Sequence, residues 1–288
     1  MATLKAIRRR IASVKSTQQI TRAMKLVAAA RLRRAQDALV AARPYHDALS
    51  RVAASVLAAE KDALAPAENA RRAALLVVIG SDRGLCGGYN ANLVRKSEEE
   101  TNRQRREGLQ VGIFAVGRKI ADHFKRDSLA LNGENVNNPH LATFSLAREL
   151  AYRLLVEFRS GAVSEGGIIY SRFYSALSQR PTYERLLPAS APQGVDTGAV
   201  EQTQYLIEPS AAELIPIVVR RYLEASIFHA LLEAEASELG ARMTAMDSAT
   251  NNASDMIERL TLEMNRARQA TITRELMDIV GGAEALRA

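Results

Sequence analysis

The sequence predicts a compact α/β lobe with a largely parallel sheet, carried between two long terminal helices that pair as an antiparallel coiled coil. Three observations predict it. Apolar and small residues recur every three or four positions along both ends of the chain, the spacing of a coiled-coil seam. Between the ends, short apolar runs alternate with helical patterns, which is how a chain builds a mostly parallel sheet. Aromatic residues make up 5% of the 288 residues and tryptophan is absent, usual for long Ala-rich helices.

The first segment spans residues 1–62. Its seam runs through positions 4, 7, 11, 14, 18, 21, 25, 28, 32, 35, 39 and 42, and it turns polar at Gln18, Thr21 and Lys25. A helix of about 60 residues is about 90 Å long, too long to wrap a small core. Pro44 removes one backbone donor and is expected to kink it. Ala65–Glu68 reads as the linker that follows.

The middle segment, residues 73–190, changes character. Ala73–Ile79 is an apolar run ending at Gly80, a buried-strand signal. A Gly-rich loop follows, then a polar helical stretch from about Ala91 to Arg106. Val111–Val116 reads as a second strand and Gly117–Lys125 as a short helix. Phe144–Phe158 is an amphipathic helix. Gly167–Phe173 is a third strand, with the Pro181–Leu187 region beside it. Pro188–Gly198 is rich in Pro, Ala, Ser and Gly and reads as a loop.

The last segment spans residues 209–288. Ser210 and Glu213 have capping-box spacing and Pro216 follows closely, so regular helix starts either after Ser210 or at Pro216. The second seam uses positions 225, 229, 232, 236, 239, 243, 246, 250, 253, 257, 260, 264, 267 and 271, about 105 Å with its flanks. Residues 1–62 hold 13 Lys/Arg against 4 Asp/Glu, and residues 209–288 hold 8 against 12. Opposite balances favour pairing of the two ends over self-association. A seam rich in Ala, Thr, Gln and Met holds less firmly than one of Leu and Ile, so the pair is expected to want an outer sleeve.

The net charge of +7 admits acidic partners such as nucleic acid, anionic lipid or an acidic protein surface. A single cysteine, Cys86, excludes an intramolecular disulfide. No apolar run approaches 18 residues, so no helical membrane span is expected. The Arg-rich, acid-poor start is reminiscent of a transit peptide, but its heptads continue well past Arg34. Loop Gly80–Asn90 sits between strand and helix, where phosphates are often cradled. It lacks both G-x-G-x-x-G and Gly-Lys-Ser/Thr, so a tight turn with close backbone packing is the better reading. Cys86 has no basic partner that would mark a nucleophile. His46, His123, His140 and His229 form no metal spacing, and His229 on the seam reads as a packed residue. The Arg8–Arg10 cluster could grip nucleic acid, but no aromatics interleave with it, which favours a solvated or protein-facing surface.

Four motifs then carry a resemblance: Ile11–Met24 (IASVKSTQQITRAM), Ser81–Gly88 (SDRGLCGG), Ala241–Met246 (ARMTAM) and Ala267–Ala283 (ARQATITRELMDIVGGA). In this order the chain resembles the gamma subunit of F-type ATP synthases over essentially its whole length, with Ile272, Thr273, Glu275, Asp278, Gly282 and Ala283 at the spacing of the family's terminal signature. The resemblance implies a Rossmann-like lobe and a central stalk. The stalk would transmit torque between a proton-driven ring of c subunits and a hexamer of alpha and beta subunits, with epsilon against the lobe. The chain would be a rotor, not itself an enzyme, with no catalytic residue, metal or cofactor, and with no nucleic acid as partner. It would be peripheral to the cytoplasmic face of a bacterial inner membrane in preference to a mitochondrial one. Carried over by position, Met24 and Lys25 would face an acidic loop of a beta subunit. Arg268 and Gln269, with Arg242 nearby, would meet loops that catch the stalk, and Arg95 is a further candidate. Tyr205 and Glu208 would lie in the foot near the c ring. Plastid members carry a cysteine pair that acts as a redox switch; Cys86 alone implies that thiol state leaves activity unaffected. The alternative from another class is a basic coiled-coil protein that binds nucleic acid, and a third reading is an α/β enzyme using the Gly-rich loop.

Overall fold

A computed structural model describes residues 4–59, 70–126, 131–138, 140–188 and 210–285. The elements, in chain order, are α1 (Leu4–Ala59), β1 (Ala73–Ile79), α2 (Tyr89–Arg106), β2 (Gln110–Val116), α3 (Arg118–Arg126), β3 (Leu131–Asn135), α4 (Phe144–Arg159), β4 (Glu165–Phe173), β5 (Gln179–Leu187) and α5 (Ala211–Ala285). They fall into two compact units, Met1–Val27 with Met243–Ala288, and Ala28–Arg242. Both long helices contribute to both units. Residues 65–68, most of the 188–198 stretch, Tyr205 and Glu208 lie outside the described residues.

The larger unit holds a five-stranded sheet in the order β3-β2-β1-β4-β5. β1, β2, β3 and β4 run parallel and β5 returns antiparallel to β4. β1 is central because it is apolar on both faces, the pattern of a strand covered on both sides. Its Leu75, Val77 and Ile79 join Leu150 and Leu154 of α4 and Leu223, Ile227 and Leu231 of α5 in one core. Leu76 and Val78 join Leu93 of α2 and Ile120 and Phe124 of α3 in the other. Three layers result, helices on both faces of a mostly parallel sheet, as the alternation of strands and helices implies. Burying each large aliphatic side chain contributes about 1.5–3 kcal/mol, and most of these are essentially inaccessible.

One element differs from the sequence reading. β3, with the sequence LNGEN, is not anticipated: it is short, polar and at the sheet edge, and it carries no apolar run. Of the two starts that the sequence allows for α5, the helix takes the earlier, at Ala211, ahead of Pro216. Ser210 caps it, its hydroxyl accepting from Glu213 N at 3.3 Å, and a proline this near a helix start costs little because the first amides have no intrahelical partner. α1 runs through Pro44 as one continuous helix.

Both seams are where the spacing puts them. Of the twelve α1 positions, Ile7, Thr21, Ala28, Leu32, Ala35 and Leu39 are buried and the other six half-buried, while most residues between them are exposed. On α5 every one of the fourteen seam positions is buried or half-buried. From Tyr222 to Gly240, however, α5 is covered on nearly all sides. The seam shows only part of that burial, since within the larger unit this stretch also packs on the sheet.

Candidate functional site

The smaller unit pairs the first part of α1 with the last part of α5. The ammonium of Lys25 lies 2.6 Å from Asp247 Oδ1, the hydroxyls of Thr21 and Thr250 are 2.8 Å apart, and Gln18 Nε2 donates to Ser254 Oγ at 2.6 Å. As the α1 number falls from 25 to 21 to 18, its partner's rises from 247 to 250 to 254. That fixes an antiparallel pair and turns the polar break in the seam into a continuous polar layer. Such layers set register at a cost in stability. Lys25 and Asp247 keep side-chain exposures of 38% and 46%, so the ion pair itself contributes about 0–1 kcal/mol.

Bulk charge balance does not turn into ion pairs here. Among the described residues of this unit, Lys25–Asp247 is the one salt bridge between the helices. Lys5, Arg8, Arg9, Arg10, Lys15 and Arg22 all point to solvent. Within this unit seam packing and the polar layer supply the contacts between the helices, and the basic face stays open. Met24 is half-buried beside that layer, and Arg268 and Gln269 are exposed. At 1.5 Å per residue, Arg268 lies about 32 Å along α5 from Asp247, so Met24 and Lys25 form one locus and Arg268 and Gln269 another. Beyond Thr271 every residue described to Gly282 is exposed, including Ile272, Leu276, Met277, Ile279 and Val280.

In the larger unit the Gly-rich loop follows β1, at the point where the strand order reverses and an open α/β sheet usually takes its ligand. Here the chain's own groups fill it. Asp82 accepts from Arg118 N and Asn138 N, both at 2.9 Å, so a carboxylate already occupies the start of α3, where an anion would bind. Ser81 N donates to Asn90 Oδ1 at 3.1 Å. Gly117, at φ +97°, presses against Gly80: a Cβ there would come within 2.6 Å of Gly80 O. This is the tight turn that the residues suggest, not a phosphate cradle. Cys86 is buried and its thiol pKa is pushed up, chiefly by burial, the opposite of an activated nucleophile.

Arg242 reaches this loop. Its guanidinium pairs with Glu238 of its own helix and donates to Gly84 O at 2.9 Å. Only 15% of its side chain is exposed, whereas Arg95 on α2 is exposed. Burial raises the pKa of Glu238, and Arg242 opposes that rise. His229 packs as expected, stacked on His46 with centroids 4.5 Å apart and planes at 18°, beside an apolar cavity of about 350 Å3. Acids on α5 that accept from the backbone of another segment are the residues that sequence reasoning misses. Glu233 accepts from Phe173 N at 3.1 Å and Glu235 from Ala142 N at 3.2 Å. The available signal was a run of acids within an otherwise apolar stretch.

A family model described as ATP synthase matches residues 3–286. The ATP synthase gamma chain of Moorella thermoacetica is 48% identical over 294 residues, covering 100% of both chains. That of Rhizobium rhizogenes is 43% identical over 294 residues, covering 99% of this chain and 100% of its own. Among solved structures, a chain of the Tetrahymena thermophila mitochondrial ATP synthase central stalk and c-ring superposes with a TM-score of 0.61 at 26% identity. It covers 80% of this chain and 99% of its own. A chain of the Euglena gracilis mitochondrial ATP synthase shares the fold, with a TM-score of 0.68 at 21% identity and coverage of 99% and 95%. Identity above 40% along the whole length, on the same two-seamed α/β architecture, leaves one conclusion: the chain belongs to the ATP synthase gamma chain family.

Proposed function

We propose that this chain is the central-stalk rotor of a proton-transporting ATP synthase, turning between a c-subunit ring and a catalytic hexamer of alpha and beta subunits. The observation that carries it is the end of α5. Residues 272–282 are exposed on every side and include a row of large apolar side chains, which a soluble protein tolerates where a partner covers them. A sleeve of alpha and beta subunits is such a partner. The lobe, residues 73–190, sits at the ring end against epsilon, and residues 1–62 and 209–288 form the stalk.

The chain performs no bond chemistry. Its asymmetry changes the catalytic sites of the beta subunits as it turns. Met24, Lys25, Arg95, Arg268 and Gln269 contact the stator, and Tyr205 and Glu208 belong to the foot near the c ring. Half-exposed, screened charges suit a surface that slides past acidic loops, because each contact is weak enough to release. The subunit is peripheral, reaching the membrane through the complex on the cytoplasmic side of a bacterial inner membrane; no described helix is long and apolar enough to cross it. The nucleic-acid alternative gains no support, since the open arginines of α1 have no aromatics among them to stack bases.

The test is reconstitution with purified alpha and beta subunits. One copy of this chain per hexamer, with rapid steady-state hydrolysis of ATP, is the expected result; failure to assemble with a competent pair overturns the reading. Within that complex Arg268→Ala and Gln269→Ala should lower torque-coupled ATPase while leaving the thermal unfolding of the free chain unchanged. Wild-type activity in both variants would remove these residues from the stator contact.

A further inference from the structure

One stretch of α5 is fixed to the lobe by an unusual density of contacts between a side chain and another segment's backbone. Glu233 accepts from Phe173 N at the end of β4, and Ser237 Oγ donates to Ser171 O at 2.8 Å. Glu235 accepts from Ala142 N, just ahead of α4. Tyr89, the first residue of α2, donates its hydroxyl to Ala234 O at 3.2 Å. Arg242 donates to Gly84 O in the loop after β1. Gly240 adds a close approach: a Cβ there would lie 3.3 Å from Ala176 Cα in the β4–β5 turn.

These contacts occupy ten residues, about 14 Å of helix. They are also spread around it. At about 100° per residue, Glu233 and Ser237 project to one side, while Glu235 and Arg242 project to nearly the opposite side. Bonds on one face resist a helix being pulled away; bonds on opposite faces also resist its turning about its own axis. Ser237 and Tyr89 are fully or almost fully buried, and Glu233 is 7% exposed, so water offers these groups little replacement and each bond broken leaves a buried polar group unpaired. Past Arg242, α5 continues as part of the other compact unit.

We propose that residues 233–242 of α5 are the torsional anchor through which rotation of the lobe enters the long helix, with Arg242, oriented by Glu238, as its terminal clamp on the Gly80–Asn90 loop. Arg242 is thereby a positioning residue and not a stator contact. The proposal rests on the rotor reading. It gives the filled switch-point crevice a purpose: the sheet binds its own helix where related folds bind a ligand.

The experiment uses the assembled complex of this chain with alpha and beta subunits, held by the head, with a rotating probe attached to the lobe through Arg126→Cys in a Cys86→Ala background. Arg242→Ala with Ser237→Ala should widen the angular fluctuations of the lobe-bound probe at rest and lower the stall torque. Arg242→Lys, which keeps a donor for Gly84 O, should restore part of the stiffness. Gly84 has only Lys119 Cε, at 3.8 Å, near its missing Cβ, so it accepts a side chain. A short bismaleimide bridge between Gly84→Cys and Arg242→Cys should restore stiffness fully, which a general loosening of the fold would not allow. Unchanged fluctuations and stall torque in the double variant, or no recovery on bridging, overturn the anchor. If the double variant does not fold, Arg242→Lys and the bridged pair decide. Failure of the parent chain to assemble or to support hydrolysis counts against the rotor reading instead.

Discussion

His46 and His229 lie ring on ring in the larger unit, and what surrounds them sets how that packing responds to acid. On α1, Asp47 Oδ1 is 3.4 Å from His46 Nδ1. On α5, Glu233 Oε1 is 3.2 Å from His229 Nε2, and Glu184 of β5 contributes a more distant negative field. The pKa of His46 is lowered, first by burial and then by His229, with Asp47 and Glu184 opposing. A depressed histidine binds its proton less readily folded than unfolded. Its stabilising effect is therefore complete above the ordinary value of 6.5 and is lost as pH falls through the folded value. The urea midpoint of the free chain should drop between about pH 7.5 and about pH 5, and His46→Gln should flatten that part of the curve. An unaltered slope in the variant would assign the acid sensitivity to other groups. His46 continues the seam's spacing, four residues after Ala42 and three before Leu49. The seam as read from the sequence stops at Ala42, ahead of Pro44, and so leaves His46 out.

Elements show why some structure is legible and some is not. The seams are read correctly because their residues recur every three or four positions, most cleanly on α1 where polar residues lie between them, and β1 because an unbroken apolar run ending at Gly80 marks a strand covered on both faces. β3 is missed because an edge strand needs little apolar content to pair with β2, and because Gly133 sits at φ +148° where the register shifts. Two glycines separate backbone need from helix propensity. Gly117 combines φ +97° with a neighbouring carbonyl that leaves no room for a Cβ, so Gly117→Ala should cost about 2 kcal/mol or more. Gly281 lies in helix with nothing within 4 Å of its missing Cβ, and Gly281→Ala should stabilise the end of α5 by about 0.5–1 kcal/mol. Urea unfolding measures the first change and amide exchange over residues 275–285 the second. Equal effects would mean that local backbone geometry decides neither.

For the whole molecule, composition describes a surface that the fold leaves unsatisfied. The first 36 residues carry ten basic groups and no acid, and the helix pairing neutralises one of them. At the other end of the chain, Ile272, Leu276, Met277, Ile279 and Val280 are each about half exposed or more. A stalk that must rotate needs both features: a charged flank that is held loosely and an apolar tip that is centred in a dry seat. The sequence hinted at this tip through its family signature alone, because the residues from Ala267 to Ala283 are polar on most faces and their periodicity is weak. Burying a large aliphatic side chain is worth about 1.5–3 kcal/mol. Leu276→Ser with Ile279→Ser should therefore weaken retention of the chain in an alpha/beta complex by about 10²-fold or more, read as faster loss of the subunit on dilution. The same variant, free in solution, should self-associate less in sedimentation velocity, since the exposed row is what drives it. Retention and self-association at parent levels would mean that the tip is not seated, and the row of apolar side chains would then need another partner.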